Sequence, residues 1–276
     1  MGRGRKLENL NDFKRALKGK YGVGVGLDYT PWLRIQDVNS HGTRSQIQGI
    51  KINRIHHTLS SIESEFFYLA EFSDAVVDIR EQFPLFPLNL SIKMAETFGV
   101  KHPTHPMTKQ PVIMTTDFVL TLMKDGVLSY HAISVKPENV ANKKRVLEKN
   151  DLERNWWESL GIPFHYYTGN KLTRCQSKNI SWATDPTRSK IIKFSNAEIE
   201  IAVGLLNQGK YFKKDICNMF IKTIGIEHDN ALNLLRTLIA EKYVEVDLSI
   251  LIEESDVIEI ISLVKHIKEV ANGDFN

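Results

Sequence analysis

Pro111-Val-Ile-Met-Thr-Thr-Asp117-Phe-Val-Leu-Thr-Leu-Met123-Lys-Asp125-Gly126-Val127-Leu-Ser-Tyr-His-Ala-Ile-Ser134-Val135-Lys136-Pro137 holds two apolar runs separated by Asp-Gly. Asp-Gly between such runs is the strongest short-range signal for a β-hairpin, because a two-residue turn needs positive φ at both positions. With Asp125 and Gly126 as the turn, Asp117 lies opposite Ser134 and diagonal to Lys136. Side chains alternate along a strand. Phe118, Leu120, Leu122, Ile133 and Val135 then share an apolar face, and Asp117, Ser134 and Lys136 share the other.

A strand-borne Asp beside a Ser-x-Lys suits metal-dependent phosphodiester chemistry. The carboxylate supplies oxygen to a hard divalent cation. The lysine orients a water or stabilises charge developing on phosphorus. In the PD-(D/E)-x-K nuclease pattern the residue two before the lysine is acidic, and here it is Ser134. Taken alone, the hairpin fits an exposed cross-strand ion pair of small energetic value better than a metal site.

The composition is that of an ordinary globular protein of 276 residues, with 42% hydrophobic and 25% charged side chains, long enough for two modest domains. Two cysteines, Cys175 and Cys217, lie far apart and give neither a disulfide framework nor a thiolate zinc site. With no signal-like apolar segment and no long uncharged run, the expectation is a cytoplasmic protein without a membrane span. Charge is uneven: residues 1–169 hold 22 Lys and Arg against 18 Asp and Glu, whereas the remainder holds 14 against 15. The basic start, with Arg3, Arg5 and Lys6, is either an arm for a phosphate backbone or a solvated terminus.

Outward from the hairpin, Tyr21-Gly-Val-Gly-Val-Gly26 lacks the strand, helix and lysine of a phosphate loop and reads as a flexible connector. Residues 50–57 alternate like a strand. It ends in His56 and His57, which point to opposite faces and read as structural or phosphate-facing. Ser60-x-x-Glu63 opens a helix with Ile62, Phe66, Leu69 and Ala70 on one face. Glu63 is therefore either a capping residue or the carboxylate that Ser134 does not supply. Residues 76–85 form a strand, and the prolines between 84 and 110 suggest a loop-rich connection, with a weak zinc possibility in His102 and His105. Beyond Pro137 a helix carries Val146, Leu147, Leu152, Trp156 and Leu160 as its stripe, and residues 164–168 form a strand. Residues 170–190 read as a linker. Helices over 196–206, 211–220 and 230–240, then a strand pair over 243–252, make a winged-helix pattern, whose third helix offers only Arg236 near its outer face.

Leu59-Ser-Ser-Ile-Glu63, Val77-Asp-Ile-Arg-Glu-Gln-Phe-Pro-Leu85, Lys101-His-Pro103, Thr116-Asp-Phe118, Ser134-Val-Lys-Pro137 and Leu152-Glu-Arg154 together resemble the TnsA family, the endonuclease subunits of Tn-seven-type transposons. The likeness runs over most of residues 20–170 and more weakly to the end. It implies an α/β protein: a restriction-endonuclease-like (PD-(D/E)XK) catalytic domain over 1–169, followed by an α+β winged-helix domain over 170–276. Its activity would be Mg²⁺-dependent cleavage of DNA at the 5′ ends of the element, with Mn²⁺ as a substitute. The implied partners are a TnsB-type integrase and a TnsC-type AAA+ ATPase. By motif, Glu63 and Asp117 would be metal-binding carboxylates, Val135 a carbonyl ligand and Lys136 the catalytic lysine. Family members usually carry glutamine where Ser134 stands, and Glu153 is a lesser candidate for the site, reading first as a helix salt-bridge residue. Two other readings stay open at this point: a stand-alone restriction-like or junction-resolving nuclease, and a non-enzymatic winged-helix regulator.

Overall fold

The computed structural model describes residues 4–38, 42–190 and 193–264. It divides into two compact units between Asn170 and Lys171. The first carries, in chain order, α1 (Leu10–Lys18), β1 (Ser45–Gln48), β2 (Ile55–Thr58), α2 (Ser61–Phe72), β3 (Val76–Pro84), α3 (Leu88–Thr97), β4 (Thr115–Lys124), β5 (Val127–Val135), α4 (Glu138–Ala141), α5 (Lys144–Glu158) and β6 (Phe164–Tyr167). Asp125 and Gly126 have φ of 50° and 77°, as a two-residue turn demands. Their strands pair antiparallel from Lys124↔Val127 to Phe118↔Ile133, in the register expected.

The sheet order is β3-β4-β5-β6, antiparallel except for the parallel pairing of β5 with β6. Both faces are covered. Ile62, Phe67 and Ala70 of α2 pack on Ile79, Phe118, Leu120, Ile133 and Val135. On the other side Ala95 of α3 and Leu152, Trp156 and Trp157 of α5 pack on Leu85, Val119 and Ala132. Burial on both sides explains the nearly unbroken apolar run of β4. The expected polar face is thus largely a second core, polar at its end with Asp117, Ser134 and Lys136 and, further along, where Arg80 donates to Thr121.

At that end the sheet is irregular. Glu81 and Phe83 would share a face in a regular strand. Instead Glu81 meets His56, whose ring lies 4.6 Å from Phe67 of α2, while Phe83 lies 5.5 Å from Trp157 of α5. Their partners on β4 divide the same way: Phe118 packs on Phe66, and Thr116 accepts a hydrogen bond from Trp157 Nε1. Both strands change faces together, at Gln82 and Asp117. Gln82 has φ of 49°, left-handed backbone that a non-glycine residue seldom adopts within a strand.

Several connections differ from expectation. The stretch 84–110 contains α3, which its flanking prolines bracket rather than break: Pro87 occupies the N-cap. The glycine stretch is packed at its start, where a Cβ at Gly22 would lie 2.4 Å from Pro84 and 3.4 Å from Trp32, while Val23 and Val25 are exposed. Arg5 is no free arm: it pairs with Asp37 and stacks over Tyr21. Arg3 lies outside the described residues.

The second unit comprises α6 (Lys171–Ser189), α7 (Asn196–Gly204), β7 (Gly209–Phe212), α8 (Lys213–Ile224), α9 (His228–Ala240), β8 (Val244–Val246) and β9 (Val257–Leu263), with sheet order β7-β9-β8. The expected linker over 170–190 is α6, whose buried face is mainly small or polar: Ser177, Asn179, Ile180, Ala183 and Thr184. Pro186 lies within that helix and cannot donate to the carbonyl of Trp182. Arg236 Nε of α9 donates to that carbonyl at 2.8 Å. The expected helix at 211 starts at Lys213, after β7, and the strand pair expected over 243–252 is β8 and the more distant β9. No helix among the described residues is long and apolar enough to cross a membrane.

Candidate active site

Asp117 is the centre of the polar end of the sheet. Its Oδ2 accepts the Val135 N–H at 2.7 Å and Lys136 Nζ at 2.6 Å, and the same Nζ donates to the Val135 carbonyl at 2.9 Å. The Lys136 backbone N–H donates to Tyr167 O on β6, so the edge strand fixes where the lysine starts. Burial would lower the lysine's pKa. The charges of Asp117 and Glu153 overcome that and hold it above its usual range.

Glu63 stands in the first turn of α2, where the Ser60 side chain caps the helix by accepting the Glu63 N–H. The Glu63 carboxylate accepts the Leu59 N–H at 2.9 Å, Ser60 Oγ at 2.8 Å and Gln82 Nε2 at 3.3 Å. It therefore fills the capping role and also faces the hairpin. Burial and then the charge of Asp117 raise its pKa to about 7, against these hydrogen bonds and Lys136.

Glu153 joins from α5, on the opposite side of the sheet. The expected salt-bridge role falls instead to Asp151, Arg154 and Glu158, and Glu153 is buried. Burial and then Asp117 raise its pKa to about 8. The Thr116 and Ser134 hydroxyls lie beside it, yet Glu153 Oε1 and Ser134 Oγ are buried without a well-formed hydrogen bond. Expecting Leu147 and Leu160 in the buried stripe obscured this residue, for both are exposed. The inward face is Asn150, Leu152, Glu153, Trp156 and Trp157. A glutamate three and four residues before a Trp pair shares their face, which was the available signal.

The histidines stand apart. Glu81 receives the His57 backbone N–H and contacts His56 Nδ1. His102 contacts Ser91 and the Pro103 carbonyl, while His105 accepts from Thr108. Among the described residues no three His, Cys, Asp or Glu side chains close around one point as a ready ligand set. At Asp117 the arrangement is two-sided, with Glu63 from one layer and Glu153 from the other both feeling its charge. Two buried carboxyls whose pKa values the Asp117 charge raises, beside buried oxygens lacking donors, are a donor set that a divalent cation would relieve.

Residues 73–169 match the family model described as TnsA-like endonuclease N terminal. That span includes Asp117, Val135, Lys136 and Glu153, while Glu63 precedes it. Over 232 residues the chain is 32% identical to the Transposon Tn7 transposition protein TnsA of Escherichia coli, with 84% of each chain covered. With the hairpin, its lysine and Glu153 inside a matched endonuclease domain, and with that identity over most of both chains, the chain belongs to the TnsA family, the DNA endonuclease subunits of Tn7-type transposases.

Proposed function

We propose that the protein hydrolyses the phosphodiester at the 5′ ends of a transposon, leaving 5′-phosphate and 3′-hydroxyl, in a Mg²⁺-dependent reaction that Mn²⁺ also supports. The observation that carries this reading is the 2.6 Å contact of Lys136 with Asp117, flanked by two buried carboxyls of raised pKa. Asp117, Glu63 and the Val135 carbonyl would hold the metal, with Glu153 completing the charge around it. The bound ion supplies a water of lowered pKa and neutralises charge on the phosphate. Lys136 places a positive charge where negative charge builds on the phosphate oxygens. Asp117 keeps that ammonium in place, and α2 and α5 exclude bulk water from either side.

The sheet order and its helices on both faces support a restriction-endonuclease-like catalytic unit. In the second unit the succession α7, β7, α8, α9, β8, β9 supports a winged helix. Its Arg236 is engaged by Trp182 and Asp185 rather than offered outward, which favours a protein-binding role over base reading. The partners in this reading are transposon-end DNA, a TnsB-type integrase and a TnsC-type AAA+ ATPase. End cleavage assayed beside those partners is expected to fall at least about 100-fold in Asp117→Ala and Lys136→Ala. Unchanged cutting in either would remove the site.

A further inference from the structure

Gln82 takes no part in the chemistry just described, yet three constraints meet on it. Its backbone is left-handed, with φ of 49°, two residues before the end of β3. It is buried, and its carbonyl accepts the N–H of Trp32 at 3.2 Å. Its side-chain amide spans two elements: Nε2 donates to Glu63 Oε2 at 3.3 Å, and Oε1 accepts from Thr115 Oγ1 at 3.1 Å. The rungs on either side, Glu81↔Phe118 and Phe83↔Thr116, are regular, so Gln82 stands across β3 and β4 from Asp117.

We infer that Gln82 is a positioning residue of the metal centre, tying the Glu63 carboxylate of α2 to the rung that carries Asp117. Glu63 and Asp117 come from different elements, and only side-chain contacts fix one against the other. The left-handed turn frees this rung from the regular alternation, and the amide uses that freedom to reach Glu63 on one side and Thr115 on the other. Partners of this kind orient metal ligands, and their loss typically costs about 10–100-fold in metal affinity.

The inference rests on the metal-centre reading. Its test is Mn²⁺ affinity of the full-length protein, measured calorimetrically together with the thermal midpoint. Gln82→Asn and Gln82→Gly both suit a left-handed backbone; the asparagine amide is one methylene too short to reach Glu63, and glycine has no side-chain amide. Both variants are expected to fold and to bind Mn²⁺ about 10-fold or more weakly. A residue that served only the fold would move the midpoint and leave the affinity alone. Wild-type binding that Asp117→Asn abolishes, combined with undiminished affinity in both Gln82 variants, overturns the role of Gln82 and leaves the metal centre standing. A wild type without saturable Mn²⁺ binding overturns both.

Discussion

Glu81 shows what a buried charge needs in this sheet. Its carboxylate is fully enclosed and receives Arg54 at 2.7 and 2.8 Å, His56 Nδ1 at 3.0 Å and the His57 N–H. Burial would raise its pKa, and the hydrogen bonds and charges of Arg54 and His56 outweigh that to hold it at about 2. A carboxyl whose pKa is depressed on folding stabilises the protein above its unfolded value, and that contribution disappears as pH falls through the folded value. Glu81→Gln is therefore expected to cost on the order of 3 kcal/mol at pH 7, read by urea unfolding, with the deficit shrinking between pH 4.5 and about 2. The Asp117–Lys136 pair was legible in the sequence because Asp-Gly fixes a register, and register fixes who faces whom. Glu153 was not, because its role depends on which side of α5 meets the sheet. Gln82 was not either, because nothing in a strand-like run announces a left-handed residue.

Among the elements, α6 and α9 show how a helix accommodates proline. Pro186 leaves the Trp182 carbonyl without its helical donor, and Arg236 replaces it while also reaching Asp185 Oδ2 at 2.9 Å and packing 5.3 Å from the Trp182 ring. Arg236→Ala is expected to destabilise the second unit by about 1–3 kcal/mol, seen as a lower unfolding midpoint. Arg236→Lys would restore little, since an ammonium lacks the planar fork. The strands around the hairpin were legible because alternation and a turn dipeptide agree. The helices α3 and α6 were hidden, the first by prolines at its borders and the second by a buried face of small and polar residues. In α6 the apolar period is faint because Ala183 and Ser177 allow close approach rather than supply bulk.

For the molecule as a whole, the two units build their cores separately, and the excess positive charge lies in the stretch before residue 170. Intact transposon ends are expected to be cut in magnesium only when the integrase-type and ATPase-type partners are added. Robust cutting by the purified chain alone would favour an autonomous nuclease instead. A break near residue 170 was readable from the change in the order of elements. How each part closes its core was not, since Ala202, Leu206 and Leu234 lie far apart in sequence from Ile258 and Ile260. Because β3 and β4 exchange the α2 side for the α5 side at a single rung, an inserted or deleted residue beside it would send the side chains beyond it into the wrong layer. This stretch can therefore absorb changes of identity but not of length, and gaps among relatives should fall at the hairpin tip or before Thr115, never between Glu81 and Phe83.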